Sequence, residues 1–444
     1  MKKLTQGNET RQILTFSIPL VIGNLFQNLY SIVDSVVVGR YIGSEALAAV
    51  GASFPIIFTL ISLVIGIGSG ASTVISQFFG ANDNKSVRKT IDTILVFFLV
   101  ASILVTGIGI AIAKPLFLLL RLPLEVLPEA LSYLYIYLSG MFAFFGFNGI
   151  SSILRGLGDS RTPLKYMVIS TLVNIVLDLF FVIVLKWGIA AVAFATIIAH
   201  FGAFVTAIVH LNRSHEIVRI RLRPSFDKAI FSECIRIGLP TGFQQSFVAI
   251  GMMLVMGIVN TFGTSAVAAY TAAMRIDAFA KMPALNFSSA LSTFVGQNLG
   301  AKEERRAKNG LHSTMFISGL YCLAVTLLIV FFGNALMKMF TEDLEIIAIG
   351  NQYLVIVSSF YLFFSIMFSG MGFLRGAGDT VIPMFTTIVS LWLIRLPLSW
   401  GLSERMGVEG VFWAIPIAWI VGALFTIIYY KTSRWRGKTV KLRY

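Results

Sequence analysis

Charged residues are scarce in this 444-residue sequence: they make up 13% of it, whereas about a quarter is usual for a soluble chain. Cysteine and histidine are scarcer still, at two and four residues, so neither a disulfide framework nor a metal or redox enzyme is suggested. No glycine-rich phosphate loop ending in Lys-Ser or Lys-Thr occurs, and no His-Glu-x-x-His zinc motif. We therefore expect neither an enzyme nor a cofactor.

Long apolar runs take the place of the missing charge. Hydrophobic residues make up 57% of the chain, and about 20 consecutive apolar residues let a helix cross a bilayer. Lipid offers unpaired backbone groups no partner, and the alternation typical of barrel strands is lacking, so helices are predicted. The predicted fold class is an all-α polytopic membrane protein with twelve transmembrane helices, at 13–38, 45–79, 92–113, 128–154, 163–185, 188–211, 233–260, 266–297, 311–337, 346–374, 383–400 and 408–430.

The formal net charge of +14 raises the question of nucleic acid as a partner. Most basic residues, however, fall in short loops on one side of the predicted helices, such as Arg155, Arg161 and Lys165, and in the C-terminal tail. This asymmetry is typical of topology signals, which place both termini in the cytoplasm of a cell (plasma) membrane protein. We expect the lipid bilayer, and no nucleic acid, as a partner.

An internal repeat organises the chain. Leu-Arg-Gly-Leu-Gly-Asp at 154–159 recurs as Leu-Arg-Gly-Ala-Gly-Asp at 374–379, an offset of 220, and Gln77 recurs at the same offset as Gln297. Each copy holds six predicted helices, so the copies are expected to be parallel lobes related by a pseudo-two-fold axis along the membrane normal. The predicted domains are a first lobe at 1–211, a cytoplasmic linker at 212–232 and a second lobe at 233–444. An ancestral duplication without a present mechanistic role is the alternative.

Ionisable side chains inside the bilayer are costly, so each is a candidate for function. In the first predicted helix, polar residues at steps of three, four and three form one stripe that must avoid lipid: Asn24, Gln27, Ser31 and Asp34. The alternative for Asp34 is a cap at the outer helix end, near Arg40.

Asp178 in the fifth predicted helix follows Asn174 by one turn, and Thr196 in the sixth could add a hydroxyl. Such oxygens suit a hard cation such as Na⁺, or a carboxyl that carries a proton. His200 could join them or serve the structure only. At an offset of 221 Asp34 maps to Val255, and at 220 Asn174 and Asp178 map to Ile394 and Leu398, so the acidic pair is expected to be a specialised site of the first lobe.

The second lobe has charges of its own. Arg275, Asp277 and Lys281 share the eighth predicted helix, where they either brace the lobe or relay protons or substrate. Arg395 is expected to snorkel to the outer surface or to pair. The polar residues expected to line a substrate cavity are Asn24, Gln27, Ser31, Asn148, His200, Gln244 and Gln245.

Four elements together resemble the multidrug and toxic compound extrusion (MATE) transporters, in particular their DinF-like branch: Tyr-Ser-Ile-Val-Asp at 30–34, the repeated Leu-Arg-Gly-x-Gly-Asp, Asn-Ile-Val-Leu-Asp at 174–178 and Phe-Val-Gly-Gln-Asn at 294–298. The resemblance implies that small-molecule drugs or organic cations are the substrates. Such cationic or amphiphilic compounds would be exported in exchange for H⁺ or Na⁺ by a monomer with alternating access. It also implies that Asp34, Asn174, Asp178 and Thr196 bind the coupling ion. Another branch uses acids in the seventh and tenth helices, where this chain has Val248 and Phe364.

Three other functions remain open at this point. A flippase for lipid-linked precursors or other amphiphiles would often have fourteen helices and a strongly cationic cavity. A channel would not need two duplicated lobes, and saturable counter-transport would distinguish a carrier from it. A membrane enzyme would need a clustered catalytic set, and turnover without a gradient would reveal it.

Overall fold

The apolar runs form helices in the computed structural model, which describes residues 3–214, 218–219 and 225–440. The α-helices are α1 (Glu9–Val37), α2 (Ser44–Gly80), α3 (Asn84–Leu119), α4 (Leu127–Ser139), α5 (Met141–Gly156), α6 (Arg161–Leu179), α7 (Ile189–Ser214), α8 (Lys228–Asn260), α9 (Thr264–Gly300), α10 (Glu304–Lys338), α11 (Leu344–Ser358), α12 (Tyr361–Gly376), α13 (Val381–Thr387), α14 (Leu396–Met406) and α15 (Val408–Lys431). Short π-helices occupy Val38–Ile42, Phe180–Val184 and Ile388–Arg395, and a 3₁₀ turn occupies Arg434–Lys438.

Among the described residues, nine helices are long and apolar enough to cross a membrane, or eleven when each of two bent pairs counts as one span. The predicted span 266–297 corresponds to α9, which is not among the eleven although it has 37 residues. Arg275, Asp277 and Lys281 lie in its middle and lower its apolar character. The prediction of an all-α polytopic membrane protein is confirmed.

The two bent pairs occupy equivalent places in the sequence repeat. The predicted span 128–154 is the pair α4 and α5, bent by 49° at Gly140, and the predicted span 346–374 is the pair α11 and α12, bent by 52°. Each bend shortens the distance that the pair covers along a straight axis. The number of apolar residues does not reveal this bend, so the sequence predicts each pair as a single helix.

The repeated Leu-Arg-Gly-x-Gly-Asp motif ends α5 and α12 and turns the chain into the next helix. A Cβ on Gly156 would lie 2.7 Å from the carbonyl oxygen of Ser72, and one on Gly376 would lie 2.4 Å from that of Ser292. The second glycine of each copy, Gly158 or Gly378, has a positive φ. The motif thus combines a close approach of two helices with a left-handed helix end, and both favour glycine.

The chain divides into two compact units. One comprises Ile18–Gly242, and the other comprises Lys3–Ser17 together with the chain from Phe243 onwards. The beginning of α8 belongs to the first unit because it packs on α2 where Gly66 meets Gly242 and Gly70 meets Gly238, with backbones too close for a Cβ. The lobe limits at 211 and 233 stay a prediction.

Candidate functional site

Two buried aspartates meet inside the first unit. Asp34 near the end of α1 is 8% exposed, and Asp178 near the end of α6 is fully buried. Their carboxyl groups lie within hydrogen-bonding reach of each other, and the Tyr30 hydroxyl reaches Asp34 as well. A hydrogen bond between two carboxyl groups requires a proton on one of them, and two carboxylates without it repel each other. A proton or another cation that binds to the pair therefore relieves this repulsion.

Amide and hydroxyl groups from α6 and α7 complete this cluster. In the orientation that satisfies both of its amide atoms, Asn174 donates to Asp178 Oδ2 at 3.1 Å and accepts from the backbone N–H of Thr196 at 3.3 Å. The Thr196 hydroxyl lies 3.1 Å from the Tyr30 hydroxyl and donates to the carbonyl of Val192 at 2.9 Å. The structure thus brings together the four residues predicted to bind the coupling ion.

The electrostatics of the cluster leave it able to accept a cation. Within the described residues, neither Asp34 nor Asp178 forms an ion pair with a lysine, arginine or histidine. One oxygen of each carboxyl, Oδ1, is buried without a hydrogen-bond donor. Buried acceptors without a donor are expensive, and a proton or a hard cation such as Na⁺ supplies what they lack. Carboxylate, amide and hydroxyl oxygens are chemically suited to either ion.

Directly after Asp178, α6 changes into the π-helix Phe180–Val184. Such wide turns occur mostly at functional sites. The helix therefore departs from regular geometry at the point where it presents its carboxylate.

A cavity of about 140 Å³ with both polar and apolar lining residues adjoins the cluster in the first unit. Asn174 and Tyr30 line it, as do four of the residues predicted to contact substrate: Asn24, Gln27, Asn148 and His200. The His200 ring lies against Phe144 at 5.4 Å, and its Nδ1 lies 2.8 Å from the carbonyl oxygen of Thr196. Ser31, Gln244 and Gln245 are not among the lining residues of this cavity. Ser31 and Gln245 are exposed, and Gln244 donates to the Thr387 hydroxyl at 2.7 Å in the second unit.

The second unit holds a separate buried network around Asp277. Lys281 Nζ lies 2.5 Å from Asp277 Oδ2, and the hydroxyls of Tyr361 and Tyr353 donate to the same carboxylate at 2.7 and 3.1 Å. The Lys281 ammonium also lies over two rings, Phe364 at 5.5 Å and Trp419 at 5.2 Å. Arg275, which was expected to share this network, is exposed, and no ion pair joins it to another described residue.

The expectation for Arg395 is wrong. It does not snorkel outward: it is 8% exposed, and Nη2 donates to the Tyr270 hydroxyl at 3.3 Å. Within the part of the chain that the structure describes, it does not pair with a carboxylate either. The π-helix Ile388–Arg395 ends at this residue and turns its side chain into the unit.

Tyrosines are the residues that sequence reasoning overlooked. Tyr30 lies three residues after Gln27 and four before Asp34, so the helical spacing of the polar stripe already contained it. Tyr353 and Tyr361 had no such signal, because they contact Asp277 from 76 and 84 positions away.

The chain is similar to known proteins along almost its whole length. The MatE family model matches residues 19–180 and 240–400. The "Probable multidrug resistance protein YpnP" of Bacillus subtilis is 30% identical over 435 residues, which cover 98% of this chain and 97% of the relative. A protein named "FAD transporter" from Shewanella oneidensis is 25% identical over 421 residues, which cover 92% of this chain and 91% of the relative.

A solved structure agrees with these relatives. It is described as the outward-facing conformation of a multidrug resistance MATE family transporter of the MOP superfamily. Its TM-score is 0.91 at 26% identity, and the match covers 98% of each chain. The helical architecture and the two-part family match agree: the chain is a membrane transporter rather than an enzyme, and it belongs to the MatE family of multidrug and toxic compound extrusion transporters.

Proposed function

We propose that this transporter is a secondary active multidrug efflux antiporter, which exports cationic or amphiphilic compounds in exchange for H⁺ or Na⁺ by alternating access. The observation that carries the proposal is the buried pair Asp34 and Asp178, which has no basic partner among the described residues and one unsatisfied oxygen on each carboxyl. The relatives named as multidrug resistance proteins support the substrate class. We also infer a monomer of the DinF-like branch in the cell membrane, with both termini cytoplasmic.

The coupling step follows from the chemistry of the pair. A proton or Na⁺ that enters from outside neutralises the repulsion between the Asp34 and Asp178 carboxyl groups. Asn174 and Thr196 hold the loaded arrangement through the hydrogen bonds described above, so loading changes the contacts between α1, α6 and α7. This change in packing favours the state that releases the drug outward, and loss of the ion on the inside resets the carrier.

We propose that Asn24, Gln27, Ser31, Asn148, His200, Gln244 and Gln245 contact the transported compound. Four of these residues, Asn24, Gln27, Asn148 and His200, line the cavity of about 140 Å³, and its volume limits what they can hold. A cavity of about 150 Å³ binds one benzene ring, whereas whole drugs occupy about 300–1,000 Å³. The cavity therefore takes one ring or polar head of a substrate, and the remainder lies outside it.

Two variants test the coupling site. Asp34→Asn and Asp178→Asn remove one ionisable group each while keeping its size. Proteoliposomes loaded with ethidium are placed under a pH gradient or a Na⁺ gradient, each imposed separately. We expect one gradient to accelerate efflux by the wild type. In each variant this acceleration should be at least about tenfold smaller, which corresponds to about 1.4 kcal/mol of coupling.

Asp83→Asn is the matched control because it removes one half-buried carboxylate of the same unit from a turn outside the cluster. Asp83 caps α3 by accepting from the Ser86 backbone N–H at 3.0 Å, and asparagine can take over this bond. The control should retain gradient-driven efflux. Unchanged efflux in both site variants at matched expression would rule out the pair as the coupling site.

A further inference from the structure

Arg395 in the second unit is a buried cation without a countercharge among the described residues. It is 8% exposed, its Nη2 donates to the Tyr270 hydroxyl at 3.3 Å, and its Nη1 lies 3.8 Å from the sulfur of Met252. Its Nε is buried without any acceptor. A charged group in such surroundings is destabilising unless an opposite charge or several acceptors compensate for it.

The buried carboxylate of Asp277 does not supply that countercharge. Asp277 accepts from Lys281, Tyr361 and Tyr353, as described above. The ring of Tyr270 packs edge-on against that of Tyr353 at 5.4 Å, so tyrosines separate Arg395 from the carboxylate. The interior of this unit therefore holds two cations and one carboxylate in this network, and the excess positive charge is at Arg395.

The arginine is specific to the second copy of the repeat. At the offset of 220, Arg395 corresponds to Ile175 and Tyr270 corresponds to Val50. A residue that only stabilised the fold would be as useful in either copy. Arg395 also ends the π-helix Ile388–Arg395, a type of turn found mostly at functional sites.

We propose that Arg395 and Tyr270 form a binding site for an anionic group, either a free anion or a carboxylate or phosphate carried by the transported compound. The guanidinium is planar, and its Nε and remaining Nη protons are placed to donate side by side to two oxygens. The Tyr270 hydroxyl accepts from Nη2 and retains its own proton for donation to the anion. An anion at this position supplies the missing countercharge.

Thermal unfolding of the purified protein tests the site without any transport measurement. The wild type is heated in sodium chloride, sodium phosphate or sodium benzoate, each compared at equal ionic strength with sodium gluconate, the largest of these four anions. Binding to the folded state raises the Tm, and we expect a shift of about 2–4 °C or more for at least one of the three anions. Arg395→Gln should lose this shift.

Two variants make the result specific. Arg275→Gln is the matched control because it removes an exposed arginine from the same unit, and it should keep the anion-dependent shift. Arg395→Lys keeps the charge but loses the planar fork, so it should respond to chloride and respond less to benzoate and phosphate. An anion-dependent shift that Arg395→Gln retains in full, or its absence from the wild type for all three anions, would overturn the proposal.

Transport then identifies the source of the anion. If the group belongs to the substrate, Arg395→Gln should raise the KM of an anionic fluorescent compound at least about tenfold more than that of ethidium. If the site takes a free anion, replacing chloride with gluconate should slow ethidium efflux in the wild type and not in Arg395→Gln. Equal loss of both compounds, with no response to any anion, contradicts the site. The Tm result does not depend on the proposed coupling function, so the two can fail separately.

Discussion

Replacing Asp277 with alanine removes the carboxylate that Lys281 contacts at 2.5 Å. The side chains of Lys281 and Asp277 are 16% and 4% exposed, so water cannot take over the lost interaction. Removing one partner of a buried ion pair typically costs about 3–5 kcal/mol, because the other charge stays buried without compensation. The hydroxyls of Tyr353 and Tyr361 lose their acceptor at the same time, which adds to the cost.

For a unit of this size, each kcal/mol lowers the Tm by about 2–4 °C. The free energy of unfolding lost in Asp277→Ala therefore predicts a Tm decrease of about 6–20 °C. The double variant Asp277→Ala with Lys281→Met removes both charges and keeps an apolar chain against the rings of Phe364 and Trp419. It should recover more than half of the decrease, since replacing a whole buried pair by apolar groups is often neutral.

The assay is thermal unfolding in detergent or nanodiscs, followed by the fluorescence of the buried tryptophans. Lys308→Ala is the matched control: Lys308 contacts Glu304 at 2.7 Å with the same spacing of four residues, but the two side chains are 35% and 38% exposed. An exposed pair of this kind is worth about 0–1 kcal/mol, so this variant should lose at most about 4 °C. The reasoning fails if Asp277→Ala loses no more than the control, or if the double variant is less stable than the single one.

Two further predictions concern local geometry. Gly376→Ala places a Cβ 2.4 Å from a backbone carbonyl of α9, so it should lower the free energy of unfolding by about 1–3 kcal/mol. The control Gly401→Ala has open space around its new Cβ and should be neutral. Equal Tm values for the two variants would contradict this prediction. Hydrogen bonds from the Ile230 N–H and the Lys89 ammonium lower the pKa of Asp227, which caps α8. Its stabilisation is present above the unfolded pKa of about 3.9 and is lost as pH falls through the lower folded pKa. Asp227→Ala should therefore lower the free energy of unfolding by about 1 kcal/mol at pH 7. The resulting Tm difference between variant and wild type should narrow below about pH 4, and a Tm difference that stays constant with pH would disprove the link.

The candidate coupling site shows how much of a site the spacing of residues along a helix can predict. The spacing of Asn174 and Asp178 predicted two side chains on one helix face, and the structure places both in the cluster with Asp34. The spacing alone could not predict which other helix packs against that face. The cavity beside the cluster likewise includes Asn148 and His200 but not Ser31, because the rotation of each helix decides which polar groups converge.

The sequence by itself determined the membrane class, the repeat and the cost of the internal charges. These properties follow from local composition, because lipid forces every apolar run into a helix and penalises every charge within it. Only the tertiary structure decided which charges are compensated. Asp277 receives donors from residues 76 and 84 positions away, whereas Arg395 lies among Tyr270 and Met252 with no carboxylate in contact among the described residues. Such partners depend on the packing of helices distant in sequence, and no period or motif encodes that packing.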